Sequence, residues 1–249
     1  MTTVDTAPSL SRLTAVELRK LVDTRAGFWL LVSIGLVTAG MIAINLIWGD
    51  RPDTTLGSLL ANAVLAPALL LPVLGILLVT SEWSQRTNLV TFTLVPNRGR
   101  VAVAKIAAGM LAGVGAILVS LALAVIGTLV GDWTGELGGW SLRWSYVGNA
   151  MLVLILSVLM GIAFGMALLN SALAIVVYFV LPTVWSVLGA IIPGLRRAAE
   201  WLDTAVTMTA LFEPDVPAGA WARLAVSVAV WIGLPLVIGL IRVTRQEVS

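Results

Sequence analysis

Six long apolar runs constrain this chain more than any other feature. They read Gly27–Trp48, Leu56–Thr80, Ile106–Val130, Tyr146–Leu169, Ser171–Ile192 and Trp221–Ile241. Each approaches or exceeds the ~20 residues that carry a helix across a ~30 Å hydrocarbon layer. In hydrocarbon every backbone amide must be bonded within the protein, so runs of this length are expected as helices. Composition agrees. Of 249 residues, 59% are hydrophobic and 11% charged, with a mean hydropathy of +1.02. A water-facing domain carries about 25% charged residues. The expectation is an all-α integral membrane protein with a single transmembrane domain. Its parts are residues 1–26 (tail and leading helix), 27–241 (six spans) and 242–249 (tail).

The connections carry the remaining information. Only Asn170 and Ser171 separate the fourth and fifth runs, which predicts a tight hairpin. Leu10 to Arg25 reads as an amphipathic helix at 100° per residue. Leu10, Ala15, Leu18, Leu21 and Val22 share one side; Arg12, Arg19, Lys20 and Asp23 share the other. Such a helix lies in the headgroup plane and runs without a break into the first span. Ile192 to Ala220 predicts one or two short helices, ended before Pro214. Ser81 to Lys105, SEWSQRTNLVTFTLVPNRGRVAVAK, is the longest polar interruption in the first two thirds, and is expected as a water-exposed loop.

Lysine and arginine give the orientation. Ten of the fifteen fall in the leading helix, the Ser81–Lys105 segment and the C-terminal tail, and five in the other connections and the outer end of the sixth run. The richer side is cytoplasmic, so both termini are expected inside, in a plasma (inner) membrane. Trp29 and Trp83 fall at predicted inner ends, and Trp48, Trp133, Trp140, Trp144, Trp201 and Trp221 near outer ones. The N-terminus shows no signal peptide.

Several chemistries are missing. The chain has no Cys and no His, which removes disulfides, thiolates and the usual general base. No glycine-rich phosphate loop is present, so no ATP hydrolysis of its own is expected. A formal charge of +2 gives no case for nucleic acid. No span has a charge at its middle, unlike ion-coupled carriers. Asn62 is the main polar side chain inside a span; it lines a substrate path or bonds a neighbouring helix. Gly109 with Gly113, and Gly161 with Gly165, are pairs that permit close helix approach. Asp132, Glu136, Asp203, Glu213 and Asp215 would be the carboxylates of a membrane enzyme, but a solvated loop face accounts for them more simply.

The layout of leading helix, six spans and charged loop resembles the permease subunit of type-2 ATP-binding-cassette (ABC) exporters, of the small bacterial six-span kind. The specific likeness lies in two stretches. In Ser81–Lys105, Glu82, Thr87, Pro96, Arg98 and Lys105 match the family's spacing. VELRKLVDTRAGFWLL, which holds Glu17, Arg19, Lys20 and Arg25, resembles its connecting helix. The resemblance implies a short cytoplasmic coupling helix between spans two and three, seated in a groove of a separate ATPase subunit. Glu82, Trp83, Arg86, Thr87, Pro96 and Arg98 would form that contact. It also implies a second permease copy or sister chain, ATP bound only by the partner, and no cofactor here. Apolar spans with few polar anchors suit a hydrophobic or amphipathic cargo such as a drug, peptide or lipid-like molecule. The competing readings are a lipid-modifying membrane enzyme and a non-transporting membrane anchor or regulator.

Overall fold

The computed structural model describes residues 8–49, 53–84, 97–135, 138–213 and 216–245. Among them the chain is helical, with one isolated bridge between Thr55 and Gly139. The elements are α1 (Leu10–Asp23), α2 (Arg25–Trp48), α3 (Leu56–Ser84), α4 (Arg98–Thr134), α5 (Trp144–Leu168) and α6 (Ser171–Ile191). They continue with the short α7 (Arg196–Leu202) and α8 (Thr204–Thr209), then α9 (Ala220–Val228) and α10 (Leu234–Arg245). A π-helical turn, Ala229–Gly233, joins the last two into one span. Among the described residues six helices are therefore long and apolar enough to cross a membrane, as befits a multi-pass membrane protein.

Polar caps set the ends. Ser9 accepts from the Arg12 amide, Asn97 from Arg100 and Asn170 from Leu173, which satisfies amides a helix start leaves open. Thr24 both ends α1 and caps α2, its hydroxyl accepting from the Gly27 amide. Its extended backbone (φ −79°, ψ 136°) breaks the helix there. The expected continuous passage from leading helix to first span is thus a corner. A side chain at Gly27 would run into the Leu21 carbonyl, so glycine permits the close turn. The tight α5–α6 hairpin is present: Leu169 takes a left-handed conformation (φ 53°) and Asn170 caps the next helix.

Helices α3 and α5 form the centre of the bundle, with α2, α4 and α10 around them. Small residues set that contact. A Cβ on Gly161 would overlap the Pro72 backbone, and one on Gly165 would lie 3.2 Å from Ile76 Cα. On α4, Gly113 faces the Ile155 backbone and Gly109 the Ile162 side chain. Both glycine pairs therefore sit where helices meet, letting backbones approach and dispersion contacts accumulate. Pro235 has no amide and crowds the carbonyl four residues back, at Trp231, where the π-helical turn lies. The Trp231 indole N–H donates to the Leu202 carbonyl at 2.5 Å, holding α7 to this span.

Two expectations are corrected here. The polar stretch Ser81–Lys105 is not a water-exposed loop throughout. Helix α3 runs on to Ser84, α4 begins at Arg98, and Glu82 and Lys105 are both buried. The charges at its two ends neutralise each other inside the bundle, so helix persists where a polar loop was expected. Asp203, expected on a solvated loop face, is buried; its carboxylate accepts from the amides of Ala205 and Val206 and starts α8. The short helices expected between Ile192 and Ala220 are present.

Candidate functional site

Four charged side chains from three helices close into a ring at one end of the bundle. Helix α1 supplies Glu17 and Lys20, three residues apart and so neighbours on one face. The last turn of α3 supplies Glu82, and α4, two turns in from its Asn97 cap, supplies Lys105. Glu17 gives one oxygen to each lysine: Oε1 lies 2.7 Å from Lys20 Nζ, and Oε2 lies 2.7 Å from Lys105 Nζ. Glu82 does the same, with Oε1 2.5 Å from Lys20 Nζ and Oε2 3.3 Å from Lys105 Nζ. Lys105 also donates to the Leu78 carbonyl at 2.9 Å.

The ring is graded in exposure. The side chains of Glu17, Lys105 and Glu82 are 5%, 6% and 9% exposed, and that of Lys20 is 34% exposed. Three members are therefore inside the protein, and Lys20 closes the ring from its rim. Two acids against two bases leave no net charge, which is what lets charged groups sit so deep. Burial acts to lower the Lys20 pKa, but its hydrogen bonds and attraction to Glu17 and Glu82 outweigh this and raise it.

Neighbouring arginines tie off backbone carbonyls at the same end. Arg98 donates to the Val243 carbonyl in α10, Arg242 to the Ala167 carbonyl near the end of α5, and Arg100 to Pro8. The last turn of a helix leaves carbonyls open, and a cation there meets both the hydrogen bond and the helix dipole. Trp83, Glu82, Arg98 and Lys105 line a small cleft with Met166 and Val243.

The structure thus brings Glu17, Lys20, Glu82, Trp83 and Arg98 together. Arg86, Thr87 and Pro96 lie outside the described residues, as does the segment expected to form the coupling helix. Glu17, named among the residues of the interfacial helix without a place on either face, is buried against the bundle. The inward stripe is Thr14, Glu17 and Leu21. Arg19 and Arg25 are exposed. Asn62 donates to the Ser58 carbonyl one turn back in its own helix. Lys105 entered the sequence reading only as a residue opening the third span; its part as the most enclosed cation was missed. The Glu17–Lys20 spacing was the available signal, but the partners 62 and 88 residues away were not. Among the described residues no cluster of ligands could hold a metal ion. No family model and no curated protein matches the chain.

Proposed function

We propose that this chain is the membrane-spanning permease subunit of an ABC-2-type exporter. It works with separate ATPase subunits and a second permease copy or sister chain. Its cargo is hydrophobic or amphipathic, its termini and charge ring are cytoplasmic, and it has no ATPase site of its own. The observation that carries the reading is the ring. The family resemblance assigns ATPase contact to the segment from Glu82 to Arg98. The ring clamps the helix at each end of this segment, α3 through Glu82 and α4 through Lys105, and bolts α1 to them.

Force applied to that segment then has a stiff route into the spans. Each ring member bonds two others, and pulling one member away leaves buried charge uncompensated, so α1, the end of α3 and the start of α4 move as a unit. Helices α3 and α5 share glycine-lined contacts, which pass the displacement to the centre of the bundle. Nucleotide-dependent contacts made by the ATPase would shift the population between two arrangements of the spans. Glu82 acts in this account as an internal brace, with Lys20 and Lys105 as its partners. The concentration of Lys and Arg around the ring supports a cytoplasmic location for that end by the positive-inside bias.

The test is isolation of the tagged chain in mild detergent from membranes of its own host. The reading expects a copurifying ATPase with a phosphate loop, two permease chains per complex by native mass spectrometry, and ATP hydrolysis that the chain alone lacks. A chain that isolates without an ATPase, or hydrolyses ATP by itself, contradicts it.

A further inference from the structure

A groove of about 380 Å³ runs between α1, α2, α3 and α4 on the outside of the bundle. That volume falls within the ~300–1,000 Å³ range of ligand sites. Its walls include Leu18 and Val22 of α1, Ile34 of α2, Leu71 of α3 and Val119 of α4. Val22 and Val119, at 55% and 53% exposed, mark an open rim. Thr38 and Ser120 also line it, and both hydroxyls are already committed to the Ala63 carbonyl. The groove therefore offers an apolar channel.

Two glycines keep it open. Gly35 of α2 and Gly115 of α4 both line the groove, and a Cβ added to either would meet nothing within 4 Å. This sets them apart from Gly109, Gly113, Gly161 and Gly165, whose absent side chains are filled by a neighbouring helix. A void in a packed protein loses dispersion contacts unless something occupies it. At the α1–α2 corner, within three residues of the groove-lining Leu18 and Val22, stand Arg19 and Arg25, exposed and without an ion pair among the described residues. Asp23 is the one acid at that corner, against these two cations. An apolar channel next to a cationic corner is complementary to one class of molecule, an acyl chain carrying an anionic headgroup.

We infer that this groove is a specific site for an anionic phospholipid. One acyl chain lies between α2 and α4 over Gly35 and Gly115, and the phosphate is held by Arg19 and Arg25. The lipid then packs on the outer face of α1, the helix whose inner face forms the charge ring. This inference does not depend on whether the chain transports anything.

The test uses purified protein in nanodiscs of equal phosphatidylglycerol and phosphatidylcholine, released into the gas phase to count retained lipids. The wild type is expected to retain one phosphatidylglycerol, preferred on the order of tenfold over phosphatidylcholine. Gly35→Leu with Gly115→Leu should lose the retained lipid, since both side chains enter empty space. Arg19→Gln with Arg25→Gln, at exposed positions that leave the fold alone, should keep a lipid but bring the preference close to one. Equal retention of the two lipids by the wild type would reduce the groove to ordinary bilayer contact and overturn the inference. So would undiminished phosphatidylglycerol on the groove-filled variant.

Discussion

Lys105 Nζ of α4 lies 2.7 Å from Glu17 Oε2 of α1, a hydrogen-bonded ion pair that joins residues 88 apart in the chain. Both side chains are almost wholly enclosed, so neither finds water when the other is removed. Lys105→Met should therefore destabilise the protein by about 3–5 kcal/mol, the usual result of leaving buried charge uncompensated. Lys20→Met removes the partly exposed corner but leaves the buried Glu17 and Glu82 sharing one cation, so it should cost less than Lys105→Met, about 1–3 kcal/mol. Thermal unfolding of both variants in the same detergent measures the order, and equal effects would count against the graded ring.

The same pair gives a double-mutant cycle. Glu17→Gln and Lys105→Met should each destabilise strongly. The combined variant should lose less than the sum, by about 0.5–3 kcal/mol, because residues in contact do not act independently. Strict additivity would mean the two side chains do not sense each other.

The raised pKa of Lys20 has a pH signature. A cation whose folded pKa exceeds its ordinary value of 10.5 contributes stability that is complete below that value and is lost as pH rises through the folded one. The gap in melting temperature between wild type and Lys20→Met should therefore stay constant from neutral pH to near 10 and close above 10.5. A gap that closes already between pH 7 and 9 would show that the carboxylates do not hold this proton.

Helix packing is testable at glycine. Gly161→Ala places a Cβ on the Pro72 backbone, which cannot swing aside, and should cost about 1–3 kcal/mol as overpacking does. Gly40→Ala in α2, where a Cβ meets nothing, should be neutral or slightly stabilising because alanine is the better helix former. Comparable losses at both sites would indicate that α3 and α5 are not in close contact.

Much of the fold was legible because length and hydropathy are local properties. The first run was placed at Gly27–Trp48 and α2 spans Arg25–Trp48; the fifth was placed at Ser171–Ile192 and α6 spans Ser171–Ile191. The ends of α3 and α4 were not legible, since Glu82 and Lys105 look solvent-seeking when each is considered alone. Their burial follows only once α1 brings Glu17 and Lys20 across, and that docking is a tertiary event with no periodic trace. The helical wheel of α1 held for Leu21, Arg12, Arg19 and Asp23 but missed the ring for the same reason. It placed Lys20 with the lipid-facing arginines, whereas the inward stripe includes a carboxylate that a hydrophobic pattern cannot reveal. Glu82, Trp83 and Arg98 were singled out as site residues and do meet in space, but Glu82 and Arg98 have partners within the chain.

Orientation needs its own check, and the absence of cysteine makes it clean. A cysteine at Gln85 should resist an impermeant thiol reagent applied to intact cells and react once the membrane is opened. A cysteine at Trp201 should react from outside. The opposite pattern would invert the topology.

In the proposed function, nucleotide-driven motion enters the spans through the ring. That route is tested most directly by a distance between two spin labels on one chain within the ATPase-bound complex. Val16→Cys on α1 and Ile191→Cys at the far end of α6 are both exposed and reachable. Trapping with ATP and vanadate should shift the distance distribution in the complex and leave it unchanged in the isolated chain. Adding Lys105→Met should abolish the shift while the ATPase stays bound. A distribution in the complex that ignores nucleotide, or a shift that survives loss of Lys105, would contradict the account.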